Sequence, residues 1–336
     1  MHAMLLNEAA PMNAHPLALR DLATPQPGPG ELVMRVTACG VCRSNLHMIE
    51  GDWLENGVPS KFPIVPGHEV VGRVESLGPD VTTFRVGDRV GVQPLWSTCL
   101  HCEYCLTARE MLCRSKKITG EDVDGGYAEQ MLAKEAHTYA VPDALSDAEA
   151  APLFCPGITA YGAVGNAQLA PGKTVALFGV GGVGHMVLQF ARLAGAETIA
   201  VARSKNHLDL ATELGATPLD SSREDPVAVL KGRGGVDASI VFAPSSAIVE
   251  QALAATKPGG IIVIGVHSSI GRFLFYEGKT IVGSLLGSRQ QMREVLQLAA
   301  AGKVKAQVAT YPLTDAEKAL SDLKAGDVRA RAVLTV

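Results

Sequence analysis

Four cysteines fall within fifteen positions of this chain, in the pattern Cys99-x-x-Cys102-x-x-Cys105-x7-Cys113. Structural zinc takes four thiolate or imidazole ligands in a tetrahedron. Two-residue gaps let a short loop fold successive sulfurs round one ion, and a longer gap brings in the fourth. So dense a set argues against free or buried thiols. An iron–sulfur cluster is the weaker rival, since its ligand spacings can overlap with these. All four positions are consumed, so the site, in a lobe over 95–115, should be closed and structural. Cys39, Cys42 and Cys155 lie outside the lobe. Seven cysteines, an odd and clustered set, in a chain whose Met1-His2-Ala3-Met4 start shows no secretion signal, point to thiols and metal rather than disulfides.

A second pattern could hold phosphate. Gly179-Val180-Gly181-Gly182-Val183-Gly184 matches G-x-G-x-x-G. An apolar run, Thr174 to Val180, precedes it, and Val183, Met186, Val187, Phe190 and Ala194 follow at helical spacing. Alone the motif is weak; between a strand and a helix it is good evidence for dinucleotide binding. The first glycine permits the tight turn, the second lets the backbone approach a pyrophosphate, and the third allows close helix–strand packing. The helix N-terminus attracts the phosphates. At the end of the next strand, an acidic residue would bond the ribose of NAD and repel a 2′-phosphate. This chain has Ala202-Arg203-Ser204 there. Arg203 can pair with a phosphate and Ser204 can donate to one, which favours NADP over NAD. Val266, closing a further apolar run from Ile261, joins the expected cofactor contacts.

These groups need elements to position them. At 336 residues the chain has room for about two domains. Its 47% hydrophobic and 19% charged composition suits a globular protein with a large core. A formal net charge of −4 gives no reason to expect nucleic acid or an acidic membrane as partner. No apolar run reaches the roughly 20 residues that span a bilayer, so a cytoplasmic location is expected. The first 150 residues read as mainly β, with strands over Glu31 to Ala38, His68 to Ser76 and Asp88 to Val92. After Pro156, strands and helices alternate: Thr198 to Ala202, His207 to Leu214, Ser239 to Phe242, Ile248 to Thr256, Ile261 to Val266. That alternation implies α/β architecture, with a Rossmann doubly wound parallel sheet. Helical patterns follow over Gln290 to Ala301 and Asp315 to Lys324, and a last strand, Ala332 to Val336, is expected to return to the first domain.

Three more candidate metal ligands are far apart: Cys42 in Cys39-Gly40-Val41-Cys42-Arg43-Ser44-Asn45-Leu46-His47, His68 in Pro66-Gly67-His68-Glu69, and Cys155 in Leu153-Phe154-Cys155-Pro156-Gly157. Spacing alone does not join them. With the cysteine lobe and the glycine turn, they closely resemble, in motif order and over essentially the whole chain, the zinc-containing alcohol dehydrogenases of the medium-chain dehydrogenase/reductase superfamily. The bacterial and plant branch, acting on primary and aromatic alcohols, is the nearest likeness. The resemblance implies a GroES-like catalytic domain over 1–155 and 286–336, a dinucleotide-binding domain over 156–285, and a cleft between them. It implies two zinc ions per chain. Cys42, His68 and Cys155 would hold the catalytic one, with Glu69 just behind it and a fourth position open. The metal would lower the pKa of the alcohol, and hydride would pass to the nicotinamide. Ser44 matches the family's relay hydroxyl and His47 its outer base, linked through the nicotinamide ribose; taken alone, Ser44 reads as a helix cap and His47 as a surface histidine.

Further positions follow from the same likeness. Arg43 matches a pyrophosphate contact, Thr159 a residue beside the nicotinamide, and Arg289, in Gly283-Ser284-x-x-Gly287-Ser288-Arg289, a cofactor-contacting arginine. Trp53 and Trp96 match substrate-lining positions; two bulky aromatics there favour flat apolar alcohols such as benzyl or cinnamyl, although lone tryptophans more often belong to a core. The chain departs from the family at Asn45, where an aspartate usually accepts a hydrogen bond from the zinc histidine. Asparagine can accept through its amide oxygen but carries no charge. The expected activity is an alcohol dehydrogenase or aldehyde reductase, working as a homodimer or homotetramer. A polyol or sugar dehydrogenase of the same superfamily would want a more polar pocket. A non-catalytic zinc- or nucleotide-binding protein is disfavoured because all three catalytic ligands are present.

Overall fold

The structure, a computed structural model, describes residues 1–336. It divides into two compact units: Met1–Cys155 with Ser288–Ala301 and Ala306–Val336, and Pro156–Gly287 with Gly302–Lys305. The short Gly302–Lys305 stretch is held in the second unit by Gln189, whose Nε2 donates to the Lys305 carbonyl at 3.0 Å while its Oε1 accepts the Lys305 N–H at 2.9 Å.

The second unit is a six-stranded parallel sheet. In spatial order its strands are Thr217–Asp220, Glu197–Ala202, Thr174–Phe178, Val236–Val241, Thr256–Ile264 and Thr280–Gly283. Numbered along the chain, that is the order 3-2-1-4-5-6 of a Rossmann sheet. The central strand, Thr174–Phe178, is buried at every position but the first, as a parallel strand covered on both faces must be. Helices Gly184–Leu193, Lys205–Glu213 and Ser246–Ala255 supply crossovers, and Phe178, Ile199, Val241, Val249 and Ile262 share one core. Thr217–Asp220 and Thr280–Gly283 were not expected from the sequence. They are four-residue edge strands with exposed positions, too short and mixed to give an apolar run.

The first unit centres on the long strand Glu31–Val41. One side pairs antiparallel with Val70–Leu77. The other is shared: Glu31 to Arg35 pair with Gln130–Lys134, and Ala38 to Val41 pair with the last strand, Arg331–Thr335. The C-terminal segment thus returns to this unit, as expected. Strands Arg89–Val92, Thr138–Ala140 and Val308–Pro312 complete the sheet. Its core joins Leu32, Met34, Val36, Val70 and Val74 to Leu320 and Leu334. No helix is long and apolar enough to cross a membrane.

Candidate active site and metal centres

One eight-residue helix, Arg43–Glu50, carries much of the site. Cys42 caps it, with its N–H donating to Asn45 Oδ1 at 3.4 Å, and Gly51 ends it in the left-handed conformation (φ 87°). Ser44 and His47, three residues apart, are neighbours on its surface. His68 and Glu69 immediately precede the strand Val70–Leu77, whose register sets Val70 opposite Cys39. The Gly40 N–H donates to the Glu69 carbonyl at 2.9 Å. The Glu69 carboxylate lies so close over Gly40 that a Cβ there would overlap it, so this position needs glycine. Arg331 opens the last strand; because Ala332 pairs with Val41, its buried guanidinium reaches Glu69 and forms an ion pair with Oε1. Cys155 comes from the end of the turn Ala151–Phe154.

These elements bring Cys42, His68, Glu69 and Cys155 together, with one ligand atom from each and all such atoms within 4.8 Å of one another. Cys42 Sγ and Cys155 Sγ are 3.8 Å apart. Zinc–sulfur bonds of about 2.3 Å in a tetrahedron put two sulfurs about 3.8 Å apart, so the spacing is that of two ligands on one ion. The electrostatics agree. A hydrogen bond from Cys155 holds the Cys42 thiol well below its usual range against the opposing effect of burial, with His68 assisting. Burial pulls His68 down, but its bond to Cys42 and the charges of Cys42, Glu69 and Glu121 together outweigh this and leave it raised. Glu69 Oε2 is buried with no hydrogen-bond partner. Burial raises the Glu69 carboxyl to about 7 and helps push up the Cys155 thiol, so negative charge here is costly unless a divalent cation, which this donor set suits, offsets it.

The lobe cysteines form a second cluster. Cys99–Cys105, Cys102–Cys105 and Cys99–Cys113 sulfurs are 3.8, 3.6 and 3.7 Å apart, again the edges of a zinc tetrahedron. The Cys102 N–H donates to Cys99 Sγ at 3.3 Å and the Cys99 N–H to Cys113 Sγ at 3.5 Å, the backbone pattern that stabilises bound thiolates.

Around the first cluster, Ser44 Oγ is 3.5 Å from His68 Nε2, so the expected relay hydroxyl lies beside the ligand set. His47 Nδ1 is 2.6 Å from Asp52 Oδ2, and the Trp53 ring packs on His47 with centroids 5.4 Å apart. Asn45 differs from expectation. Its oxygen is used by the Cys42 N–H, and its amide nitrogen faces His68 Nδ1 at 3.4 Å. The helix cap claims the acceptor that was expected to serve the histidine. Glu121 is a residue sequence reasoning missed. It is half-buried, burial pushes its carboxyl up, and the charges of His68 and Cys42 act on it. Its loop packs on the Pro66-Gly67-His68 turn, where the Gly125 N–H bonds to the Val65 carbonyl and that of Gly126 to the Gly67 carbonyl. An acidic residue in a turn gives no signal of this in the sequence.

The remaining candidates are placed as follows. Arg43 is exposed and donates to the Leu323 carbonyl at 3.1 Å. Trp96 donates through its indole nitrogen to the Leu132 carbonyl at 3.2 Å, and Lys134 Nζ sits 5.2 Å over its ring. Arg289 is engaged by buried Glu110 at 3.1 Å and by the Ala136 carbonyl at 3.2 Å. In the second unit, Gly179 has φ 103°, a Cβ on Gly184 would overlap the Gly179 carbonyl, and a Cβ on Gly181 would meet nothing within 4 Å. Gly181 thus presents bare backbone to open space ahead of the helix Gly184–Leu193, for which Val183 is the capping residue. That is a cradle a pyrophosphate fits. Arg203 is exposed and makes no hydrogen bond or ion pair. Ser204 caps the next helix, accepting the His207 N–H at 3.3 Å, which leaves its own hydrogen free to donate. Thr159 is half-buried on the helix Pro156–Asn166, and Val266 packs partly against the core.

Two family models match this chain: an alcohol dehydrogenase GroES-like domain over residues 28–143 and a zinc-binding dehydrogenase over residues 182–301. An alcohol dehydrogenase of Geobacillus stearothermophilus is 39% identical over 328 residues, covering 96% of each chain. Among solved structures, an alcohol dehydrogenase of the hyperthermophilic archaeon Aeropyrum pernix matches with a TM-score of 0.91 at 32% identity, covering 100% of both chains. A structure described as an NAD-dependent alcohol dehydrogenase matches with a TM-score of 0.91 at 30% identity, again over 100% of both. The chain belongs to the zinc-containing alcohol dehydrogenases of the medium-chain dehydrogenase/reductase superfamily. It is an oxidoreductase of small-molecule alcohols that uses zinc and a nicotinamide cofactor.

Proposed function

We propose that this enzyme interconverts primary alcohols, apolar or aromatic, with their aldehydes, and that it prefers NADP. The observation that carries the chemistry is the convergence of Cys42, His68 and Cys155 with Ser44 Oγ 3.5 Å from His68 Nε2. Cys42, His68 and Cys155, with Glu69 behind them, would hold a zinc ion there, which would supply the Lewis acidity that lowers the pKa of the alcohol. The Ser44 hydroxyl accepts the alcohol proton as it hands its own hydrogen on towards His47, one turn further along the helix and a third exposed, which releases a proton to solvent. Cys99, Cys102, Cys105 and Cys113 hold a second zinc that is structural. Gly179, Gly181, Gly182, Val183 and Gly184 cradle the pyrophosphate. Thr159, Val266, Arg43 and Arg289 add contacts to the cofactor, Arg43 by exchanging the Leu323 carbonyl and Arg289 the Ala136 carbonyl while Glu110 holds its Nε.

The NADP preference rests on Arg203, which is exposed, without a partner, and next to Ala202 where a carboxylate would repel the 2′-phosphate. Trp53, stacked on His47, supports a flat apolar substrate. Glu121 favours a second reading, in which the substrate carries another hydroxyl, as a polyol does, that donates to this carboxylate. A homodimer or homotetramer is supported by the open edge of Thr280–Gly283 and by Phe275 and Tyr276 close before it, 83% and 72% exposed. Turnover of benzyl, cinnamyl and short aliphatic alcohols and of polyols, measured with both cofactors, tests the reading. Higher kcat/KM with NADP and an aromatic alcohol is expected. A clear NAD preference rejects the cofactor assignment, and a polyol preference selects the second reading.

A further inference from the structure

The turn that ends the Arg43–Glu50 helix folds back onto His47. Gly51, in the left-handed conformation, donates its N–H to the His47 and Met48 carbonyls, and the Asp52 N–H donates to the His47 carbonyl at 3.0 Å. This reversal throws two successive side chains over the histidine. Asp52 Oδ2 lies 2.6 Å from His47 Nδ1, and the Trp53 ring lies against the imidazole face, tilted by 32°. No protein group occupies His47 Nε2. We propose that Asp52 is a positioning residue for the proton path, fixing His47 with Nδ1 protonated and Nε2 open as the proton acceptor. The inference rests on the reading above in which His47 is the outer base.

The chemistry of the pair dictates the assignment. An ionised carboxylate only accepts, so the hydrogen of a 2.6 Å contact sits on Nδ1. In the neutral ring the lone pair is then at Nε2. Without Asp52 both tautomers are open to the ring, and its orientation is held by Trp53 alone. Stability does not account for the contact. His47 is 32% and Asp52 53% exposed, and ion pairs so open to solvent contribute little to folding. A pair of little consequence for folding thus sets the one property a proton acceptor needs, which nitrogen is free.

Three variants test this in the zinc-loaded enzyme with benzyl alcohol. Asp52→Ala should lower kcat by about tenfold, a fraction of what a general base supplies. It should leave zinc content and the KM for cofactor as in the parent, and raise the solvent deuterium isotope effect on kcat. In enzyme labelled with nitrogen-15 at histidine, the His47 signals should move from a single Nδ1–H tautomer to a mixture. Asp52→Glu should restore rate and tautomer in part. If His47→Gln lowers kcat while Asp52→Ala leaves either rate or tautomer unchanged, the positioning role is overturned and the relay stands. If His47→Gln itself leaves kcat unchanged, the relay reading fails and the inference falls with it.

Discussion

His137 shows what a buried titratable group does at the scale of a single residue. It is 2% exposed, its Nε2 meets Thr98 Oγ1 at 3.1 Å, and its Nδ1 has no partner. Burial, with the positive charge of Arg289 adding to it, pushes the imidazole down from 6.5 to about 4. The depressed value fixes the sign. Above pH 6.5 the ring is neutral in both folded and unfolded chains, and its contribution is fully present. As pH falls from 6.5 towards 4, the unfolded chain binds the proton first and stability is lost, by about 3 kcal/mol at most. His137→Gln should therefore flatten the acid limb of the stability curve in that window, measured by urea unfolding at a series of pH values. Parallel curves would show that His137 does not titrate between the two states. The same burial explains why His137 could not be read from the sequence. A histidine among Glu135, Ala136 and Thr138 carries no mark of depth.

At the scale of the element, the cysteine lobe is a loop whose order depends on its ligands. Its helical pieces, Glu103–Leu106 and Glu110–Leu112, are four and three residues long, below what holds a helix in water. Leu106 and Leu112 are 72% and 46% exposed, so the lobe buries little apolar surface of its own. Four thiolates on one ion would supply what packing does not. Cys105→Ser should cut zinc from about two to about one per chain and lower the unfolding midpoint by several degrees, as loss of a structural metal does. Metal analysis and a thermal melt check both. Retention of two zinc ions would place the second ion elsewhere. This lobe was fully legible in the sequence, because its ligands are close neighbours in the chain. The Arg43–Glu50 helix was only partly legible. Its Ser44 was readable as a cap residue, but Cys42 proves to be the cap, and the grip of Asp52 and Trp53 on His47 depends on a reversal at Gly51.

For the whole molecule, the metal clusters divide unevenly. Both lie in the unit built from Met1–Cys155 and the C-terminal segments, whereas the Pro156–Gly287 unit has its own core and no such cluster. Removal of zinc by a chelator should loosen the lobe around Cys99 to Cys113 while the strands Thr174–Phe178 and Val236–Val241 stay protected. Hydrogen exchange followed by mass spectrometry reads this segment by segment, and equal loss of protection in both units would refute it. By itself the sequence determined whatever is written locally: the four-cysteine lobe, the glycine turn between strand and helix, and the alternation of the parallel sheet. Each is a pattern of neighbours, with a fixed period or spacing that backbone geometry alone makes meaningful. The tertiary structure decided what depends on distant segments meeting. It set Cys42, His68 and Cys155 on one site, brought Arg331 to Glu69 through strand register, turned the Asn45 oxygen to the helix cap, and placed Glu121 near His68. Those contacts link residues tens to hundreds of positions apart, or depend on which of two donors wins a single acceptor. Only the folded chain sets such distances.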